Sequence, residues 1–259
     1  MVFDYIDMIV KAGPVKEIFD ESSQLSEIGF RFKEREDPSN FAYKTARNLH
    51  RYPAEHVLSG PYIQEEFDLE QIKDFGDHLT RENVRVILAT KDDPAYEGEW
   101  LKETWYRTEY YIKPIGKIDA DTWTKKLHLP SPSEFIPTEF TFEKASKHPI
   151  NEPKLAKDEA GLRVWHKIDD VFETPKVNIR VLLRTGLLTE SVKTAVALHL
   201  FIELLKDVLT PIVYPAELAG LNYELNLQNE GVEIKLGGFA QKIHLLLERI
   251  LGEAQNLSK

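Results

Sequence analysis

The chain reads as an α+β protein: antiparallel strands with helices packed on one face, arranged as two units joined by a proline-rich tether. Three observations predict this. Apolar residues recur at helical spacing through the first third, a stretch dense in proline interrupts both hydrophobic periods, and the last stretch runs two strands, helix, two strands, helix. The expected divisions are 1–113, 114–153 and 154–259.

The elements follow in order. In PVKEIFDESSQLSEI (14–28), Val15, Ile18, Phe19 and Leu25 fall near helical spacing, and Asp37-Pro38-Ser39 supplies a cap and a first-turn proline for a helix through Leu49. FDLEQIKDFGDHL (67–79) sets Leu69, Ile72, Phe75 and Leu79 on one stripe. The period then changes. VRVILAT (84–90) and TWYRTEYYI (104–112) read as two strands, with the loop KDDPAYEGE between them.

From about Lys113 to Pro153, prolines 114, 130, 132, 137, 149 and 153 remove ladder and helix donors, so the segment is expected to be an extended tether. Its apolar residues Trp123, Leu127, Leu129, Phe135, Ile136 and Phe140 predict that it lies along a surface, docked at several points.

Beyond it, a strand from Leu162 to Ile168, a turn at Asp169-Asp170 and the alternating run VNIRVLLR (177–184) read as a hairpin with one wet face. SVKTAVALHLFIELLKDVL (191–209) is a long apolar helix. LNYELNLQ (221–228) and VEIKLGG (232–238) are joined through Asn229-Glu230-Gly231, where the glycine supplies a positive φ. A helix from Gln241 to about Gln255 closes the unit.

Composition bounds the function classes. With 259 residues and 42% apolar content the chain can fill two cores. A formal charge of −10 argues against nucleic acid, whose phosphates require clustered Lys and Arg. There are no cysteines, which excludes disulfides and thiolate zinc sites. The opening MVFDYIDMIVKAG lacks a basic leader, and no apolar run reaches the ~18 residues of a membrane span, so an unsecreted, cytoplasmic chain with no membrane partner is expected.

Chemistry-bearing motifs are sparse. Leu200-Phe201-Ile202-Glu203-Leu204 has the shape of the inverted zinc motif H-x-x-E-H with leucine in both histidine places, leaving Glu203 alone; on its own the run also suits a plain core helix. His50, Glu55 and His56 are two residues too widely spaced for that motif and are interrupted by Pro53. His199 and Glu203 are four apart and could meet, but no third ligand follows at a useful spacing. The pairs Glu65-Glu66, Asp92-Asp93 and Asp169-Asp170 read as solvated turns, and Gly237-Gly238 is a doublet at a strand end, not a phosphate loop. Arg31, Lys33 and Arg35 alternate beside Phe30 and Phe32, a cluster suited to a nucleotide phosphate or an acidic tail, or else a plain exposed basic patch.

A series of collinear runs, FDYIDMI (3–9), IGFRFKERE (28–36), YPAEHVLSGPYI (52–63), LTRENVRVILATK (79–91), EFIPTEF (134–140), WHKIDDVFETPKVNIRVLLR (165–184) and LFIELLKDVLTPIVYPAELAGLNYELN (200–226), resembles the insulin-degrading-enzyme-like branch of the pitrilysin family of zinc metallopeptidases. The resemblance covers nearly the whole chain. It implies that the chain corresponds to the later part of the second copy of the family's α+β unit, an inter-unit linker and the first part of the third copy, two incomplete units without the zinc-bearing region. It implies that helix 191–209 is the third copy's counterpart of the zinc helix, with no catalytic residue and no metal ligand carried onto this chain. Zinc then belongs to the parent enzyme and this chain has no cofactor of its own.

The function implied is a non-catalytic central segment of a peptide-degrading enzyme, forming hinge and chamber wall. Its partners would be peptide substrates and the catalytic N-terminal half and C-terminal unit of the same enzyme. The alternative is a stand-alone peptide-binding or assembly subunit that completes a separate catalytic chain. Extended peptide is expected to pair with a sheet edge near Val177 to Leu183 or Val232 to Leu236. Open apolar faces on incomplete units also allow a homodimer.

Overall fold

The computed structural model describes residues 2–64, 66–90, 97–114, 127–142, 152–169 and 172–257. Two compact units emerge: Met1–Lys16 with Glu66–Ser131, and Glu17–Glu65 with Pro132–Lys259. Residues 17–65, grouped by sequence with the first stretch, cluster with the second, because Ile28 joins its apolar core.

In the smaller unit, α1 (Val2–Ala12) packs on α4 (Leu69–Asp77). Arg81 reaches Asp4 at 3.5 Å and lies over the Phe3 ring. Asp68 caps α4, accepting from the amides of Glu70 and Gln71.

Two strand expectations fail here. Residues 84–90 take no regular structure and have no ladder partner among the described residues, so an alternating pattern alone makes no sheet. The run 104–112 is broken by a turn. The Glu103 carboxylate accepts from the amides of Trp105 (2.8 Å) and Tyr106 (2.6 Å), and Arg107 takes a φ of 57°. Among the described residues of this stretch, the short β1 (Leu101–Lys102) pairs with β2 (Glu109–Tyr110). The acidic pair 92–93 lies outside the described residues.

The larger unit begins with α2 (Lys16–Arg31) and α3 (Pro38–Asn48), whose first turn is capped by Asp37 ahead of Pro38 as the sequence predicts. Next come β3 (Lys154–Glu159), β4 (Leu162–His166), β5 (Lys176–Arg184), the short α5 (Leu187–Glu190), α6 (Val192–Leu218), β6 (Asn222–Gln228), β7 (Gly231–Phe239) and α7 (Ala240–Leu257).

The expected hairpin of 162–168 with 177–184 does not form. β4 folds back on β3 through Gly161 at φ +81°, and β5 instead pairs antiparallel with β7. The sheet order is β5-β7-β6, all antiparallel. Asp170 of the expected turn lies outside the described residues.

Register gives this sheet two unlike faces. Ile179, Leu236 and Tyr223 stand in one row, Val181, Ile234 and Leu225 in the next, and Leu183, Val232 and Leu227 in a third. This face meets α6 through Ile202, Leu205, Leu209 and Val213, and α7 through Ile243, Leu246 and Ile250. Each such side chain, fully buried, stabilises by about 1.5–3 kcal/mol. The opposite face carries Arg180, Lys235 and Glu224 in one row. Glu233, only 7% exposed, is held there by Arg180 (3.3 Å), Gln228 (3.0 Å) and Lys235 (3.5 Å), as a sequestered carboxylate requires.

Helix α6 is longer than the sequence suggests. It opens on a reciprocal cap, Ser191 with Thr194, and passes Pro211 and Pro215 before ending at Leu218, with Gly220 just beyond it at φ +80°. Each proline removes one helical donor, yet the buried face continues through Val213 and Ala216 and holds the helix together.

The segment 132–142 is fixed on this unit, with Phe135, Ile136 and Pro137 buried. Gln241 accepts from the amides of Thr138 and Glu139, and Arg249 forks onto Glu134 at 3.1 and 3.0 Å.

The β6–β7 turn supplies a direct test. Gly231 sits at φ +149°, and a Cβ there would stand 2.0 Å from the Leu183 carbonyl oxygen, an atom fixed in the β5–β7 ladder. Gly231→Ala is expected to cost about 1–3 kcal/mol, read as a lower urea midpoint at unchanged slope.

Candidate functional site

The zinc-motif-shaped residues occupy the outer side of α6. Leu200 is 60% exposed and Leu204 48%, one turn apart on one face. Glu203 is held by Lys206 at 2.8 Å. Methyl groups stand where the inverted motif would place imidazole nitrogens, so this face does not fit zinc. Among the described residues no group of three or more His, Asp or Glu side chains converges as a metal site.

The other histidine candidates are spread apart. His56 ends a single 3-10 turn after Pro53 and approaches Ser59 at 3.4 Å, while Asn48 donates to the Val57 carbonyl and fixes the loop. His199 is exposed on α6.

A concavity lies at the α2–α3 connection, about 540 Å³ in volume and lined by Phe30, Lys33, Glu34, Arg35, Glu36, Pro38, Phe41 and Leu58. The sequence makes it by ending α2 at Arg31 and starting α3 at Pro38, so the intervening residues span its rim. The three cations of that run separate. Arg31 turns onto the Phe32 and Phe140 rings, 5.0 and 5.2 Å from their centroids. Lys33 pairs with Glu36 at 3.1 Å. Arg35 lines the cavity with no acidic partner among the described residues. The structure thus brings Lys33 and Arg35 to one rim and leaves Arg31 off it.

The acids of the rim are already engaged. Hydrogen bonds from Lys44 and then Lys33 hold the Glu36 carboxyl below the usual range, and Lys176 does the same for Glu34 at 2.6 Å. Phe30, Phe41 and Leu58, sharing this lining with the Arg35 guanidinium, suit an apolar group with an anionic end. Position alone could not reveal this cavity from sequence, because Leu58 and Phe41 reach it only through the fold.

Sheet edges are the remaining surface of interest. β7 is the central strand with both sides paired, so the expected edge at Val232 to Leu236 is not an edge. The outer side of β5, Val177 to Leu183, has no ladder partner among the described residues, and neither has that of β6.

The sequence profile described as the middle or third domain of peptidase M16 matches residues 30–259. The chain belongs to the M16 peptidase family. Members of this family are zinc metallopeptidases. The human protein named insulin-degrading enzyme is 35% identical over 256 residues, covering 96% of this chain and 25% of its own length. The Drosophila melanogaster insulin-degrading enzyme is 32% identical over 257 residues and human nardilysin 31% over 259, covering 26% and 22% of their lengths. The chain therefore spans about a quarter of the length of the relatives it matches. The crystal structure of pitrilysin shares the fold, with a TM-score of 0.74 and 24% identity over 98% of this chain and 27% of that one. No helix among the described residues is long and apolar enough to cross a membrane.

The Glu34–Lys176 pair ties the cavity rim to the start of β5 and predicts a pH signature. Since the folded pKa of Glu34 lies below its ordinary 4.5, the pair stabilises above that value and its contribution is lost as pH falls through the lowered one. Lys176→Met should be less stable than the parent at pH 7 by a few tenths of a kcal/mol, roughly what a solvent-exposed pair contributes. Urea midpoints of the two proteins should converge below pH 4.5.

Proposed function

We propose that this chain is a non-catalytic middle segment of an M16 metallopeptidase, serving as hinge and part of the wall of a chamber that captures peptides. One observation carries the reading: the zinc-shaped positions of α6 hold Leu200 and Leu204, whose side chains cannot ligate a metal. The family match to the middle or third domain supports the same placement.

In this role the partners are a zinc-bearing catalytic half and a further C-terminal unit, and the substrates are peptides. The sheet contributes recognition. The open outer side of β5 offers amides and carbonyls to an extended peptide, with Arg180 and Arg184 on the polar face beside it.

Hydrolysis of an internally quenched peptide by the purified chain tests the reading. The expected rate is that of buffer, with or without a chelator. Chelator-sensitive turnover that survives repurification would contradict it.

A further inference from the structure

Residues 132–142 form neither strand nor helix, yet Phe135, Ile136 and Pro137 within them are buried. Side chains of other elements hold this backbone where a ladder would otherwise do so. The stretch can therefore come away without breaking any helical or ladder bond.

Its attachments alternate between two parts of the unit that are far apart in sequence. On the α2 side, the Ser133 amide donates to the Glu21 carboxylate at 3.0 Å. The Phe140 ring lies 4.8 Å from that of Phe32, with the Arg31 guanidinium over both. On the α7 side, Gln241 in the first turn accepts from the Thr138 and Glu139 amides and donates to the Thr138 hydroxyl. Arg249, about two turns further along, forks onto Glu134. Ser133 and Glu134 are neighbours in the chain, so consecutive residues bind two different helices.

This sharing makes the two sets of contacts cooperative. Ordering the stretch costs its conformational entropy once, and the contacts on both sides offset that one cost. Whichever side is held positions the groups that the other side needs, and loss of either weakens the other.

We propose that 132–142 is a coupling strap that docks and releases as one unit, and that its docking on α7 fixes the α2 exit and with it the rim of the α2–α3 concavity. Phe32 is the first residue beyond α2, and Lys33, Glu34 and Arg35 follow it directly onto that rim. The exit also meets the sheet directly, Phe32 on Phe239 at 5.4 Å, but Phe140 closes on the same ring at 5.6 Å, so the strap completes that contact too. A change at Gln241 or Arg249 then reaches the concavity, and a change at the concavity reaches α7 by the same route.

Hydrogen exchange of the 259-residue chain, read segment by segment by mass spectrometry, tests the proposal. Arg249→Glu and Glu134→Arg each set like charges at the fork. Either should speed exchange of the 133–141 amides and of the 25–36 amides together, by about fivefold, while 222–239 keeps its wild-type rate. Arg249→Glu combined with Glu134→Arg should bring both segments back. Gln241→Leu removes the attachment at the other end of the strap without changing charge, and should loosen the same two segments. A strap that exchanges faster while 25–36 is unmoved overturns the proposal, because α2 is then held without it. Faster exchange that extends equally through 222–239 overturns it as well, because the unit then opens as a whole. So does wild-type exchange of 133–141 in all three single variants.

Discussion

Everything in the larger unit depends on β7 having both of its sides paired. With β5 on one side and β6 on the other, the register aligns three rows of apolar side chains on one face and sets Arg180, Lys235 and Glu224 on the other. The apolar rows have no stable state until α6 and α7 cover them, and that covering contributes most of the core. Pieces distant in sequence then attach to this platform. Phe32 and Phe140 close on Phe239 at the end of β7, at 5.4 and 5.6 Å, so the α2 exit and the 132–142 segment share one aromatic anchor.

The same platform explains what α6 can and cannot do. A helix whose inner side is committed to the sheet has only its outer side for chemistry, and that side is hydrocarbon at the two positions where the inverted motif needs nitrogen donors. The element keeps the shape of a zinc helix while its outer side is suited to packing.

Much of this was legible in the chain, because helical period and capping are local. Asp37-Pro38, Ser191 and the stripes of α2, α4 and α7 announce their helices without reference to partners. Strand pairing is not local, and there the reading failed. Val177 to Leu183 alternates as a hairpin strand should, but its partner lies beyond the whole of α6, at 231–239. The run 84–90 has the right pattern and no ladder among the described residues. The helix expected over 191–209 runs on past Pro211 and Pro215 to Leu218, held by its packing. At the candidate cavity, alternation suggested that Arg31, Lys33 and Arg35 point one way, but helix α2 persists to Arg31 and rotates it away from the other two.

The central claim is that this part of an M16 peptidase contributes no metal ligand set, and metal stoichiometry tests it most directly. The folded chain would be loaded with excess zinc, dialysed exhaustively against metal-free buffer, and its zinc measured by elemental analysis beside its concentration. The account predicts a residual content far below one ion per chain, consistent with leucine at 200 and 204. One tightly retained zinc per chain, released only with a strong chelator, would contradict it.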